Sequence, residues 1–231
     1  FERGKINVSS AGTMLSFMEK PNFKMSIGFA QYSAEGNLCG DTIKTINDSR
    51  GHMIFIISDG MGKGSRAALD GAMGAGLLSK LLSAGFGFDS SLKVVNSALL
   101  VKSHEESLAT LDCIRVDLFS GKCEFYKAGA PKSYVVKENS LTKCELTSMP
   151  AGILRGVEFA KRTTLNTDDE IIMMSDGITD VGDDWLEEFL KLETSFDPNE
   201  KAKAILRLAL ENSDEKHRDD MSVIVAKMIE K

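Results

Sequence analysis

Two apolar runs in this chain stop on the same dipeptide. IFIISDG ends at Asp59–Gly60, and IIMMSDG ends at Asp176–Gly177. Short runs rich in Ile and Met, bounded by turn residues, read as strands buried on both faces. An Asp at the end of such a strand sits at the rim of a sheet, held by the backbone yet able to reach solvent. Two further segments share this form: CGD at Asp41 opens TIKTI, and Asp219 and Asp220 open MSVIV. Taken singly, each Asp-Gly is turn chemistry. Gathered at one rim, the carboxylates would repel and their pKa values would rise. Hard divalent cations relieve that conflict, because oxygen-only ligands suit Mg²⁺ or Mn²⁺, and a glycine after the Asp leaves its carbonyl free to face an ion. At the level of residues alone, both readings stand.

The first Asp-Gly runs into GMGKG, which resembles a nucleotide loop but does not match one. A phosphate loop requires Ser or Thr after its Lys, and Lys63 is followed by Gly64; the dinucleotide fingerprint requires G-x-G-x-x-G, and the spacing here is G-x-G-x-G.

The pattern along the chain predicts mostly strands, with helices in pairs. Residues 23–32, the LCGDTIKTI stretch and HMIFIIS read as a three-strand antiparallel meander. Helices follow over about 65–84 and 89–102, separated by a polar break at HEES from a long β region, 108–146, with turns at FSGK and KENS. PAGIL is a loop. VEFAKRTTLN and DEIIMMS are strands, then come helices over about 184–191 and 198–211 and a final strand, MSVIVAKMI. In the first helix, Leu69, Met73, Leu77, Leu78, Leu81 and Leu82 fall on one face. Its Gly71, Gly74 and Gly76 each cost about 1 kcal/mol relative to Ala, which implies either close packing on a sheet or a helix kept marginal so that it can move. Helices that come in pairs rather than one per strand exclude a βαβ parallel sheet. They predict a four-layer α-β-β-α sandwich of class α+β, two antiparallel sheets with helices outside. Residues 1–20, polar and poorly periodic, read as a linker remnant, and 21–231 as the domain.

Composition removes other classes. The formal charge of −6 over 231 residues argues against nucleic acid, which is bound through Lys and Arg. Cys39, Cys113, Cys123 and Cys144 form no CxxC, and the three histidines are scattered, so a zinc site is not expected and the cysteines read as reduced core thiols. No secretory leader and no apolar stretch of about 20 residues is visible. The start at Phe1 suggests a piece of a longer protein.

The ordered set GNLCGDT, IISDGMGKGSRA, ATLD, GAP, IIMMSDGITD and DDMSVIV, running from about Phe23 to Ile229, resembles the metal-dependent serine/threonine phosphatases of the protein phosphatase 2C family, and within it the bacterial sporulation branch. The resemblance implies two ions, Mn²⁺ or Mg²⁺. Asp59 would bridge them, Asp176 and Asp219 would ligate the first, and the Gly60 carbonyl would touch the second. Asp41 would orient waters at the ions, with Asp180 and Asp220 as weaker candidates behind them and Asp112 structural. It further implies hydrolysis of phosphoserine or phosphothreonine by an activated water, with no protein nucleophile. This chain departs from animal members in having Met61 where they have His, Gly36 where they have a phosphate-gripping Arg, and no third-metal Asp near GAP. Lys63 or Arg66 could replace the Arg. The implied substrate is a phosphorylated anti-sigma-factor antagonist, and the implied outcome is activation of a sporulation sigma factor. The implied location is a cytoplasmic domain of a membrane-anchored parent, with a homodimer left open. The alternatives are a general stress-response phosphatase of the same family and a catalytically silent binding module.

Overall fold

The computed structural model describes residues 6–11, 14–34, 36, 38–48, 50–60, 65–102, 109–146, 149–151, 159–192 and 197–231. Met61, Lys63, the HEES break and most of PAGIL lie outside them. One five-stranded sheet joins β4 (Asp41–Asn47), β5 (His52–Asp59), β6 (Leu111–Asp117), β7 (Lys122–Ala128) and β10 (Phe159–Thr164), in the order β10-β7-β6-β5-β4. The other joins β3 (Phe23–Tyr32), β8 (Ser133–Lys137), β9 (Ser140–Cys144), β11 (Glu170–Met174) and β12 (Met221–Glu230), in the order β3-β12-β11-β8-β9. Every strand pair is antiparallel. Helices α1 (Ser65–Ser83) and α2 (Phe88–Lys102) cover the first sheet, and α4 (Asp184–Leu192) and α5 (Pro198–Asn212) cover the second. A four-residue helix, α3 (Asp176–Thr179), follows β11. The expected four-layer sandwich is the observed fold.

Three apolar layers fill the spaces between the four. Ile54, Ile56 and Cys113 face Leu78, Leu92 and Leu99 of the helices. Phe55, Ile57, Ile114, Phe125, Met173 and Ile224 meet between the sheets. Ile172, Met174 and Val223 face Leu186, Leu190 and Ile205. Because both sheets are covered on both faces, alternate residues of β5 and β11 are all apolar, which explains the continuous hydrophobic runs.

Three readings from sequence need correction. The three-strand meander does not form: β4 pairs with β5, but β3 pairs only with β12 and belongs to the other sheet. The turn after β3 is therefore a crossing between sheets. The apolar face of α1 packs as expected except at Leu69: Leu78 and Leu82 are buried, and Met73, Leu77 and Leu81 pack against the same core. Its buried residues are Ala67, Asp70, Gly71, Gly74, Ala75, Leu78 and Leu82, while Leu69 is 60% exposed. The helix approaches so closely that a Cβ on Gly71 would lie 2.5 Å from the Gly40 carbonyl oxygen, whereas one on Gly76 would meet nothing within 4 Å. Finally, the stretch expected as linker holds a two-stranded antiparallel ribbon, β1 (Ile6–Ala11) with β2 (Met14–Glu19), that joins neither sheet; a hairpin needs only local pairing.

Buried ion pairs tie the layers together. The Lys127 ammonium donates to Asp112 (2.6 Å), the Pro131 carbonyl (2.6 Å) and the Ser133 hydroxyl (2.8 Å), joining β6 and β7 to the start of β8 in the other sheet. Lys201 of α5 donates to Glu170 of β11 at 2.6 Å.

Candidate metal centre

Antiparallel register brings the first two carboxylates together. Asp41 begins β4, Asp59 ends β5, and they stand directly opposite each other. Side chains alternate along a strand, so both share the face of Ile43 and Ile57, which point between the sheets. Thr110 holds Asp59 by the backbone: the Asp59 amide donates to its hydroxyl (3.2 Å), and the Thr110 amide donates to the Asp59 carbonyl (2.8 Å). Gly60 donates its amide to the Gly40 carbonyl (3.3 Å). A Cβ there would run into the Ala67 carbonyl of α1, so the dipeptide must end in glycine for the helix to dock.

The second sheet supplies the rest. Ser175, between β11 and α3, donates its amide to the Ser222 carbonyl (3.0 Å), and its hydroxyl accepts from the Ser222 amide (2.9 Å). Asp176 then opens α3. Gly177 lies against the Asp220 carbonyl, where a side chain would clash. Asp219 is exposed just ahead of β12, and its carboxylate accepts from the Asp220 amide (2.9 Å).

These groups feel one another's charge. Burial, then the charges of Asp41 and Asp176, then that of Asp219, push Asp59 up to about 9. Burial pushes Asp41 up to about 6; the Ser222 and Ser175 hydroxyls oppose the shift, and the charges of Asp176 and Asp220 add to it. Asp176 is raised by burial and by the charges of Asp180 and Asp219. Among the described residues, no basic side chain is a principal influence on these three groups. Among the described residues, neither Asp41 oxygen has a hydrogen-bond partner at bonding geometry, although both are buried. Nor is any group of three His, Cys, Asp or Glu side chains drawn tightly enough to hold an ion. The carboxylates are near neighbours rather than a closed ligand cage. Oxygen-only donors, an orphaned buried carboxylate and unrelieved like charge are the features that a hard divalent cation satisfies.

The structure thus brings Asp41, Asp59, Asp176 and Asp219 into one neighbourhood, with Gly60 beside them and Asp180 acting on Asp176. It sets Asp112 apart, in its ion pair with Lys127. Arg66 is exposed on the first turn of α1, and Gly36 occupies a turn at φ +69°. Thr110, Ser175, Ser222 and Gln31 escaped the sequence reading. Thr110, Ser175 and Ser222 did sit inside quoted motifs (ATLD, IIMMSDGITD and DDMSVIV), but a hydroxyl carries no signal until its partner is known. Cys39 lies close by, its thiol pushed up to about 12 by burial and then by Asp41, so it is a poor nucleophile.

Two covered antiparallel sheets with carboxylates at one shared end define a phosphatase domain of the protein phosphatase 2C type. The chain belongs to the stage II sporulation protein E (SpoIIE) family, whose model matches residues 49–229. It is 29% identical over 223 residues to stage II sporulation protein E of Bacillus subtilis (strain 168), covering 93% of this chain and 27% of that protein. The chain spans about a third or less of the curated relatives it matches. The solved phosphatase domain with a fragment of the regulatory domain of SpoIIE from Bacillus subtilis superposes with a TM-score of 0.86 at 27% identity, covering 99% of this chain and 71% of that one. The catalytic domain of the serine threonine protein phosphatase PstP, solved with 2 manganese ions, shares the fold with a TM-score of 0.71 at 17% identity, covering 90% of this chain and 100% of that one.

Proposed function

We propose that this domain is a Mn²⁺- or Mg²⁺-dependent protein serine/threonine phosphatase. Its proposed substrate is phosphoserine on an anti-sigma-factor antagonist, and its proposed effect is activation of a sporulation sigma factor. The observation that carries the reading is the meeting of Asp41 and Asp59 from one sheet with Asp176 and Asp219 from the other, with no basic group of the described residues among the main influences on Asp41, Asp59 and Asp176. As it stands, such a cluster repels a phosphate dianion. Asp59, Asp176, Asp219 and the Gly60 carbonyl would hold two ions, with Asp41 behind Asp59. Bound there, divalent ions supply positive charge for the phosphoryl oxygens and lower the pKa of water.

The chain's own part is positional. Thr110 fixes the end of β5 and so the direction of Asp59. The Ser175–Ser222 exchange fixes the end of β11, from which Asp176 projects. Family membership supports a sporulation role over a general stress-response one. The intact carboxylate set speaks against a silent binding module. Among the described residues no helix is long and apolar enough to cross a membrane, so anchoring belongs to the proposal only through a longer parent chain; a homodimer is likewise only proposed.

The test is phosphate release from a phosphoserine antagonist protein during a Mn²⁺ titration, repeated with Asp176→Ala and Asp219→Ala. Metal-dependent release that both substitutions abolish supports the reading. Release that persists with chelator present, or in both variants, overturns it.

A further inference from the structure

Among the described residues the carboxylates come from two sheets that share no backbone ladder, so hydrogen bonding within a sheet cannot set the gap between Asp41 and Asp59 on one side and Asp176 and Asp219 on the other. Side chains must do so. Asp220, 8% exposed at the head of β12, turns both carboxylate oxygens onto the β3–β4 crossing. Oδ1 accepts the Ala34 amide at 2.7 Å, and Oδ2 accepts the Gly40 amide. Gly40 in turn accepts the Gly60 amide through its carbonyl and directly precedes Asp41. A second strap runs parallel: the Gln31 amide donates to the Asp41 carbonyl (3.1 Å) and the Ser222 hydroxyl (3.0 Å). The two residues of the Asp219–Asp220 doublet do different work: the charge of Asp219 acts on Asp59 and Asp176, while Asp220 holds the crossing and adds its charge at Asp41.

We propose that Asp220 is a positioning residue: it clamps Ala34 and Gly40 to β12, and so places Asp41 and Gly60 against the Asp176–Asp219 side of the centre. This rests on the metal-dependent reading above for its effect on ion affinity, though not for the clamp itself.

Two readouts separate these. Asp220→Asn keeps the shape but turns an amide group toward a backbone N–H. Amide hydrogen exchange at Gly40 and Gly60 rises by about tenfold or more if the clamp is real. Mn²⁺ affinity, measured by calorimetry, falls about 10–100-fold, as for other residues that orient ligands, and falls further than kcat at saturating Mn²⁺. Gly40→Ala, whose Cβ would stand 3.0 Å from Asp220 Oδ2 and push it off the Gly40 amide, gives the same split with every carboxylate retained, and it carries the test if Asp220→Asn fails to fold. Unchanged exchange at Gly40 and Gly60 overturns the clamp. So does loss of one bound ion with kcat falling as far as in Asp219→Asn, which would make Asp220 a ligand. If the wild-type chain binds no Mn²⁺, the functional reading fails, and the exchange data still decide the clamp.

Discussion

Asp41 and Asp59 face each other across the β4–β5 ladder, and their carboxyls, buried at Asp41 and half-buried at Asp59, are both pushed above the ordinary carboxylate range. The folded metal-free protein therefore binds more protons than the unfolded chain from about pH 4, where free carboxyls titrate, up to about 9, where Asp59 does. Stability from these groups is complete below about pH 4 and is lost as pH rises toward 9. Thermal unfolding in EDTA is expected to show a falling Tm from pH 5 to pH 8. Saturating Mn²⁺ is expected to flatten or reverse that slope, adding about 2.7 kcal/mol when the ion is at 100 times its Kd. A metal-free Tm that rises over that interval would contradict the shifts.

Neutralising one carboxylate separates stability from function. Asp59→Asn removes a carboxyl that the metal-free fold must hold protonated well above its ordinary range, so metal-free Tm near pH 8 is expected to rise by about 2–4 °C for each kcal/mol of relief. Phosphatase activity is expected to fall by about 100-fold or more, with loss of the Mn²⁺-induced Tm increase. Scanning calorimetry with and without Mn²⁺ checks both halves.

The Lys127–Asp112 pair is fully buried. Lys127→Met leaves Asp112 without its counter-charge inside the sandwich and is expected to cost about 3–5 kcal/mol in urea unfolding. Adding Asp112→Leu is expected to recover much of that loss, because a buried pair replaced by apolar residues is often near neutral. A single variant as stable as wild type would show that the pair contributes little.

The α1 glycines predict opposite effects. Gly76→Ala meets open space and is expected to stabilise by up to about 1 kcal/mol through helix propensity. Gly71→Ala forces a Cβ toward the Gly40 carbonyl, so it is expected to lower stability and to weaken Mn²⁺ binding by displacing the crossing that leads to Asp41. If Gly71→Ala leaves Mn²⁺ affinity and stability as they were, α1 is not coupled to the centre through this contact.

Local structure was largely readable in advance. The helix ends near 65, 102, 184 and 198 and the strands around IFIISDG and IIMMSDG follow from periodicity and turn residues. The misreadings share one cause. Nothing near Phe23–Tyr32 says that its partner is β12, roughly the whole chain away. Nothing in α1 says that Gly71 will meet the Gly40 carbonyl while Leu69 is left exposed. And in the Asp219–Asp220 doublet both residues look alike until one finds the Gly40 amide, 180 positions distant.

The sequence by itself determined which segments extend, which coil and which end in a carboxylate, because those choices rest on neighbours within a few residues. Only the tertiary structure decided that four such ends meet and which side chain braces the meeting, because the two sheets share no ladder and their spacing is set by contacts between distant residues.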